Sequence, residues 1–159
     1  RRRPLWRETF DDPSYNDAEI VIVCVGLEDS KYGVEAKNPI RTRDNVRVIC
    51  NELRARGKEV ILCTLPLRWR LQDTKKNEVF VKDKERNELL AGVIVSMKDP
   101  HLNLGCDLGS PEFCRQQLYT ADAVHFCSEG YRKFASSIFT SLVPAMVRVE
   151  AKTWKQFIK

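Results

Sequence analysis

Three stretches of this chain are apolar at almost every position: EIVIVCV from Glu19 to Val25, EVILCTL from Glu59 to Leu65, and GVIVSM from Gly92 to Met97. Unbroken apolarity, rather than alternation, marks a strand covered on both faces, as in a parallel sheet. Between the first two the period changes. In RTRDNVRVICNELRARG, from Arg41 to Gly57, the residues Val46, Ile49, Cys50 and Leu53 recur on one face at helical spacing. Thr42 or Asp44 is placed to cap that helix and Gly57 to end it. A second helix is predicted over Asp83 to Leu90. Tyr131, Phe134, Ile138 and Leu142 stripe a third, which Pro144 interrupts before a last helix from Ala145 toward Phe157. Strands alternating with helices predict an α/β fold, a three-layer sandwich around a mainly parallel sheet. Residues 1–17, polar and basic with two prolines, read as an arm or loop, and 18–159 as a single domain.

Composition narrows the class. A chain of 159 residues that is 43% hydrophobic and 31% charged is long and apolar enough for one core, which excludes a disordered chain. Its longest apolar run, IVIVCV, is too short to span a bilayer, and RRRPLW is not followed by the apolar segment of a secretory signal. The six cysteines include no Cys-x-x-Cys pair. Cys24, Cys50 and Cys63 lie in apolar strand or helix patterns, where cysteine acts as a small buried hydrophobe. His101, Cys106, Cys114, His125 and Cys127 lack the spacing of a zinc site. The expectation is therefore no metal, no cofactor, and reduced thiols in a cytoplasmic or nuclear protein. The formal charge of +5 permits attraction to nucleic acid or an anionic membrane without requiring it.

In an open α/β sheet the working groups collect at the carboxyl ends of the strands. Three polar stretches belong there: GLEDS, LPLRWR and DAVH. Asp122 stands three residues before His125, a spacing at which a carboxylate orients an imidazole for nucleophilic catalysis. A strand ending in Gly26-Leu27-Glu28-Asp29, a helix, a strand ending in TLP, then DAVH followed by SEGY and an apolar helix, resembles the SGNH (GDSL-like) hydrolase superfamily. The resemblance runs from about Ala18 to Val143. It implies a flavodoxin-like sheet order, ester hydrolysis by a serine, histidine and aspartate, and Asp122 and His125 as the last two of these.

Two departures from the family pattern stand out. The family's strand-end motif is Gly-x-Asn-Asp, whose asparagine donates to the oxyanion; Glu28 occupies that position here. An ionised carboxylate donates no hydrogen bond, and losing one oxyanion donor costs about 100- to 1000-fold in turnover. The family's Gly-Asp-Ser lies on a strand upstream of that block, and nothing in residues 1–18 reads as such a strand. Ser30 is an alternative nucleophile, but its separation from His125 matches the oxyanion block instead. The resemblance thus implies a catalytically dead or impaired domain, or an enzyme whose serine precedes Arg1.

Basic residues supply another function. Arg43, Arg47 and Arg54 fall within about 40° on a helical wheel. Arg148, Lys152, Lys155 and Lys159 recur at i, i+4, i+7 and i+11, beside an apolar stripe of Val147, Ala151, Trp154 and Ile158. Arg68 and Arg70 flank Trp69, and RRRPLWR repeats the theme. Arginines for phosphates and aromatics for unstacked bases are what single-stranded RNA requires. The combination is similar in type to the C-terminal domain of the germ-plasm protein Oskar, an SGNH-like fold with an eroded catalytic set that binds RNA. The leading expectation is a non-catalytic, RNA-binding SGNH-like domain. The alternatives are an active esterase or lipid hydrolase, and a protein-interaction module that docks through its terminal helix.

Overall fold

Parallel pairing organises the chain. The structure, a computed structural model, describes residues 11–30, 38–75 and 77–158. Strand β1 (Ile20–Val23) pairs with β2 (Glu59–Leu62), Ile20 opposite Glu59, and β2 pairs with β3 (Leu102–Leu104), Val60 opposite Leu102. The order is β1-β2-β3 and both pairings are parallel. A short helix α1 (Pro13–Asn16) precedes β1, within the stretch read as an arm. Helix α2 (Pro39–Ala55) carries the chain from β1 to β2, and α3 (Asn77–Met97) from β2 to β3. Helix α4 (Ser128–Phe157) closes the fold, and 3-10 turns occupy Leu27–Ser30, Trp69–Leu71 and Gln116–Leu118.

Strand alternation sorts the side chains into two cores. Val23, Val60, Leu62 and Leu102 meet Val46, Cys50 and Leu53 of α2 and Leu90 and Val93 of α3. Ile61 and Cys63 point the other way, toward Leu108, Phe113, Leu118 and, on α4, Ile138 and Ala145. Helices thus cover both faces, giving the three layers expected. Fully burying one such leucine or isoleucine contributes roughly 1.5–3 kcal/mol. The second face is unevenly covered: Ile22 shares it with Ile20 and Ile61, yet remains 44% exposed. Among the described residues β1 has one strand neighbour.

The structure corrects four local expectations. GVIVSM is the end of helix α3, and the third strand is Leu102–Leu104. Asp83, Arg86, Asn87, Leu90 and Val93 are buried at helical spacing, so the helix beginning before Asp83 has a reason to continue, and burial overrides the β preference of Val93 and Ile94. Pro144 lies inside one continuous α4. Its missing N–H removes one helical bond, a loss of about 3 kcal/mol in a free helix, but Ile138 and Ala145 on either side are pinned in the core. Helix α2 is capped by Asn38, whose side chain accepts from Ile40 N at 3.0 Å with Pro39 in the first turn, rather than by Thr42 or Asp44. Gly57 does end that helix region, at φ +74°.

The fourth correction is Arg68, expected on a surface for RNA. It is buried and forms two bonds to Asp83, Nε to Oδ2 at 2.8 Å and Nη2 to Oδ1 at 2.9 Å. Arg86 Nη1 also donates to Asp83 Oδ1 at 2.8 Å, and its Nε donates to Thr42 Oγ1 at 3.0 Å. Thr42 Oγ1 in turn donates to Asp29 Oδ2 at 2.7 Å, and Arg68 Nη2 donates to Leu27 O at 3.2 Å. Two guanidiniums and two carboxylates thus balance inside the fold. Removing Asp83 leaves two buried cations short of their partner, so Asp83→Ala is expected to cost about 3–5 kcal/mol in urea unfolding. Lys84→Ala, at an exposed neighbour, is expected to stay within about 0.5 kcal/mol.

Candidate active site and basic groove

The DAVH loop is a tight hairpin. Tyr119 and Phe126 bridge antiparallel, Thr120 N donates to His125 O at 2.9 Å, and Cys127 N donates to Leu118 O at 3.0 Å. Ala123 takes φ +57° to turn the tip, a left-handed conformation unfavourable for a residue with a Cβ. Helix α4 starts immediately after, where Gly130 lies so close to Leu118 O that a Cβ would stand 2.2 Å from it.

Within this hairpin Asp122 is held from several sides. Its Oδ1 accepts from Thr120 Oγ1 at 2.6 Å, Val124 N at 2.9 Å and His125 N at 3.1 Å; its Oδ2 faces His125 Nδ1 at 2.5 Å. The Thr120 hydroxyl and then the His125 ring, followed by the two backbone amides, hold its carboxyl well below the usual carboxylate range. An ionised Asp122 fixes the proton of a neutral imidazole on Nδ1 and leaves Nε2 as the free base. The His125 side chain is 66% exposed, so that base is accessible.

The three stretches expected at the carboxyl ends are tied together here. Gly26 turns the chain at φ +115°, and a Cβ there would meet Thr42 Cγ2 at 2.6 Å. Asp29 N then donates to Gly26 O at 3.1 Å, and the Asp29 carboxylate anchors on Thr42. Arg68 holds this turn through Leu27 O, while Arg70 Nη1 donates to Ala121 O at 3.3 Å, next to Asp122. Arg70 also lies over the Trp69 ring at 5.5 Å, and Trp69 packs into the core. The LPLRWR segment is therefore a strut between GLEDS and DAVH. The side chains of Glu28 and Ser30, expected in the oxyanion block and as the alternative nucleophile, lie outside the described residues. Sequence reasoning missed a cavity of about 290 Å³ lined by Thr64, Asn87, Asp107 and Gly109 among others. Thr64 Oγ1 donates to Asp107 Oδ1 at 2.7 Å, and buried Asn87 bonds both backbone groups of Leu65. The polar Thr64 inside an apolar run was the available signal.

The remaining basic residues separate into different places. Arg54, Arg148 and Lys152 line a groove of about 480 Å³ at the amino end of the sheet, which also contains Arg56, Lys58 and His101, not singled out from the sequence as basic ligands. A neighbouring groove of about 500 Å³ runs past Arg148, Lys152 and Lys155. Ion pairs occupy part of this charge. Arg148 donates to Glu59 Oε2 through Nε at 3.0 Å and Nη2 at 2.8 Å, His101 Nδ1 lies 2.5 Å from Glu59 Oε1, and Arg54 Nε meets Asp99 Oδ2 at 2.8 Å. Burial opposes the charge on Glu59, but Arg148 and then His101 outweigh it and hold its carboxyl below its ordinary range. Arg43 pairs with Asp44 at 2.7 Å near the start of α2, and Arg47 is exposed one turn later, both away from the groove. Lys159, Trp6 and the RRRPLWR cluster lie outside the described residues. Among the described residues no three histidine, cysteine or acidic side chains gather as metal ligands, and no helix is long and apolar enough to cross a membrane.

No family model and no curated protein matches the chain. Its fold is similar to that of a solved structure, a GDSL-like lipase from Bacteroides thetaiotaomicron. The two share 19% sequence identity at a TM-score of 0.64, over 87% of this chain and 69% of the lipase chain. That likeness establishes the SGNH-type α/β fold.

A carboxylate lowered by folding contributes stability that is present above its unfolded value, near pH 4, and is lost as the pH falls through the folded value. Asp122→Asn is therefore expected to lower Tm only slightly at pH 7, because the pair is exposed. The difference from wild type should shrink as the pH is taken toward about 2. A pH series of thermal melts on both proteins checks this.

Proposed function

We propose that this domain carries the aspartate–histidine half of an ester-hydrolysing site of the SGNH type, with its nucleophile supplied from outside the described residues. The observation that carries the reading is the 2.5 Å contact of His125 Nδ1 with an Asp122 fixed by three further donors. Exposed ion pairs contribute at most about 1 kcal/mol to stability, so fold stability alone gives little reason for this arrangement. It suits proton transfer well. His125 Nε2 takes the proton of an attacking hydroxyl and returns it to the leaving alcohol, while Asp122 stabilises the imidazolium between the two steps.

Glu28 makes such an enzyme slow, because the position that supplies an oxyanion donor holds a carboxylate instead. Fluorophosphonate labelling and p-nitrophenyl acetate turnover by the natural full-length protein test the reading. Both should disappear in His125→Ala, and Glu28→Asn should raise turnover by about tenfold or more. Turnover that His125→Ala leaves intact, or none at all, overturns it.

The second reading is RNA binding by a non-catalytic domain of the cytoplasm or nucleus. It is supported by the groove in which Arg54, Arg56, Lys58, Arg148 and Lys152 converge from two helices and the start of β2. Because Arg54 and Arg148 already face carboxylates, Lys152 and Lys155 provide most of the charge available to phosphates. Fluorescence anisotropy with an oligouridylate should then show affinity falling steeply with salt. Lys152→Glu with Lys155→Glu should weaken it by about tenfold or more, whereas Arg47→Glu and His125→Ala leave it unchanged. Equal loss in Arg47→Glu would point to diffuse charge attraction without a groove.

A further inference from the structure

The last turns of α4 leave the body of the fold. Every residue from Glu150 to Ile158 is exposed, a projection of about 13 Å. Its exposed side chains are unusual for a free surface: Val147 at 59%, Trp154 at 66%, Phe157 at 77% and Ile158 at 81%. At about 100° per residue, Val147, Ala151, Trp154 and Ile158 fall within roughly 60° of one another, and Met146 and Phe157 widen that arc on one side. Glu150 is the acidic residue within it. On the other flank stand Arg148, Lys152 and Lys155, with Arg148 turned toward Glu59.

We propose that this projecting end of α4 docks the protein on an anionic phospholipid surface. The arc of Trp154, Phe157 and Ile158 would enter the headgroup–acyl boundary while Lys152 and Lys155 reach the lipid phosphates. Two observations select this occupant. Lys155 borders the apolar arc about 40° from Ala151, and Lys152 stands about 60° further round, an arrangement by which an interfacial helix combines apolar burial with attraction to anionic lipid. The apolar residues themselves distinguish lipid from RNA: an RNA strand engages lysines and a stacking tryptophan, but gives Val147 and Ile158 nothing to bury against. A tryptophan at the margin, with an apolar body and an N–H, suits the membrane interface. The inference is independent of the esterase reading, since it uses neither Asp122 nor His125, and it competes with the RNA reading for Lys152 and Lys155.

Co-sedimentation of the purified protein with vesicles tests it. One set is phosphatidylcholine alone, and the other contains about a quarter phosphatidylserine. The protein should sediment with the anionic vesicles and shift its tryptophan emission to the blue, a shift that Trp154→Phe removes. Trp154→Asp with Ile158→Asp should abolish sedimentation, and Lys152→Glu with Lys155→Glu should weaken it by about tenfold or more. These side chains are exposed, so thermal melts should show all variants folded. Absence of sedimentation at low salt overturns the proposal, as does sedimentation that the double aspartate variant retains. It is equally overturned if light scattering shows a dimer that Trp154→Asp dissociates, without vesicle binding. Oligouridylate binding without vesicle binding would assign the lysines to RNA instead.

Discussion

A buried carboxylate between two guanidiniums holds this fold in register. Asp83 has no solvent exposure, and an isolated charge at such depth costs several kcal/mol. Arg68 and Arg86 offset that cost together, and in doing so they must come from fixed directions. Arg86 reaches on to Thr42 and Asp29, Arg68 to Leu27, so helix α2, helix α3, the turn after β1 and the segment after β2 meet at one point. The next residue but one, Arg70, extends the same segment to the DAVH hairpin. The positions of the candidate active-site loops are therefore set by internal electrostatics as much as by the apolar core.

The parallel sheet then divides the molecule by chemistry. At the carboxyl ends the three loops gather around acceptors and a histidine, with Arg68 and Arg86 absorbed into the interior. At the amino end the chain gathers cations from the end of α2, the start of β2 and the last third of α4, with Glu59 and Asp99 answering some of them. Neither end takes its charge from the net excess of the chain. What matters is which guanidiniums are already committed: Arg68 to Asp83, Arg148 to Glu59, and Arg54 to Asp99.

Much of this was legible in the sequence. The unbroken apolar runs at Ile20 and Glu59 identified two parallel strands, of which β2 is buried throughout and β1 only in part, and Val46, Cys50 and Leu53 marked the inner side of α2. Asp122 and His125 could be paired by spacing alone, because a three-residue turn brings them together whatever the rest of the chain does. The failures share a cause. GVIVSM has the composition of a buried strand and the position of a helix end, and periodicity cannot separate these over six residues. Arg68 looked like its neighbour Arg70, since nothing local reveals a carboxylate fifteen residues away on another element. Pro144 reads as a stop because its own preference is local, whereas the contacts of Ile138 and Ala145 that hold the helix together are not.

The difference in burial between the two ionic clusters separates stability from activity. Asp83 and its arginines lie inside, where breaking a pair is expensive, so a loss of function after changing Arg68 would report on folding. Asp122 and His125 lie outside, in a hairpin held by its own backbone bonds, and their side chains can be replaced with little effect on the core. The exposed end of α4 is similarly uncoupled, since no described residue beyond Val149 is buried. The groups proposed to act on substrate, polyanion and lipid thus sit on ground where substitution perturbs chemistry before structure.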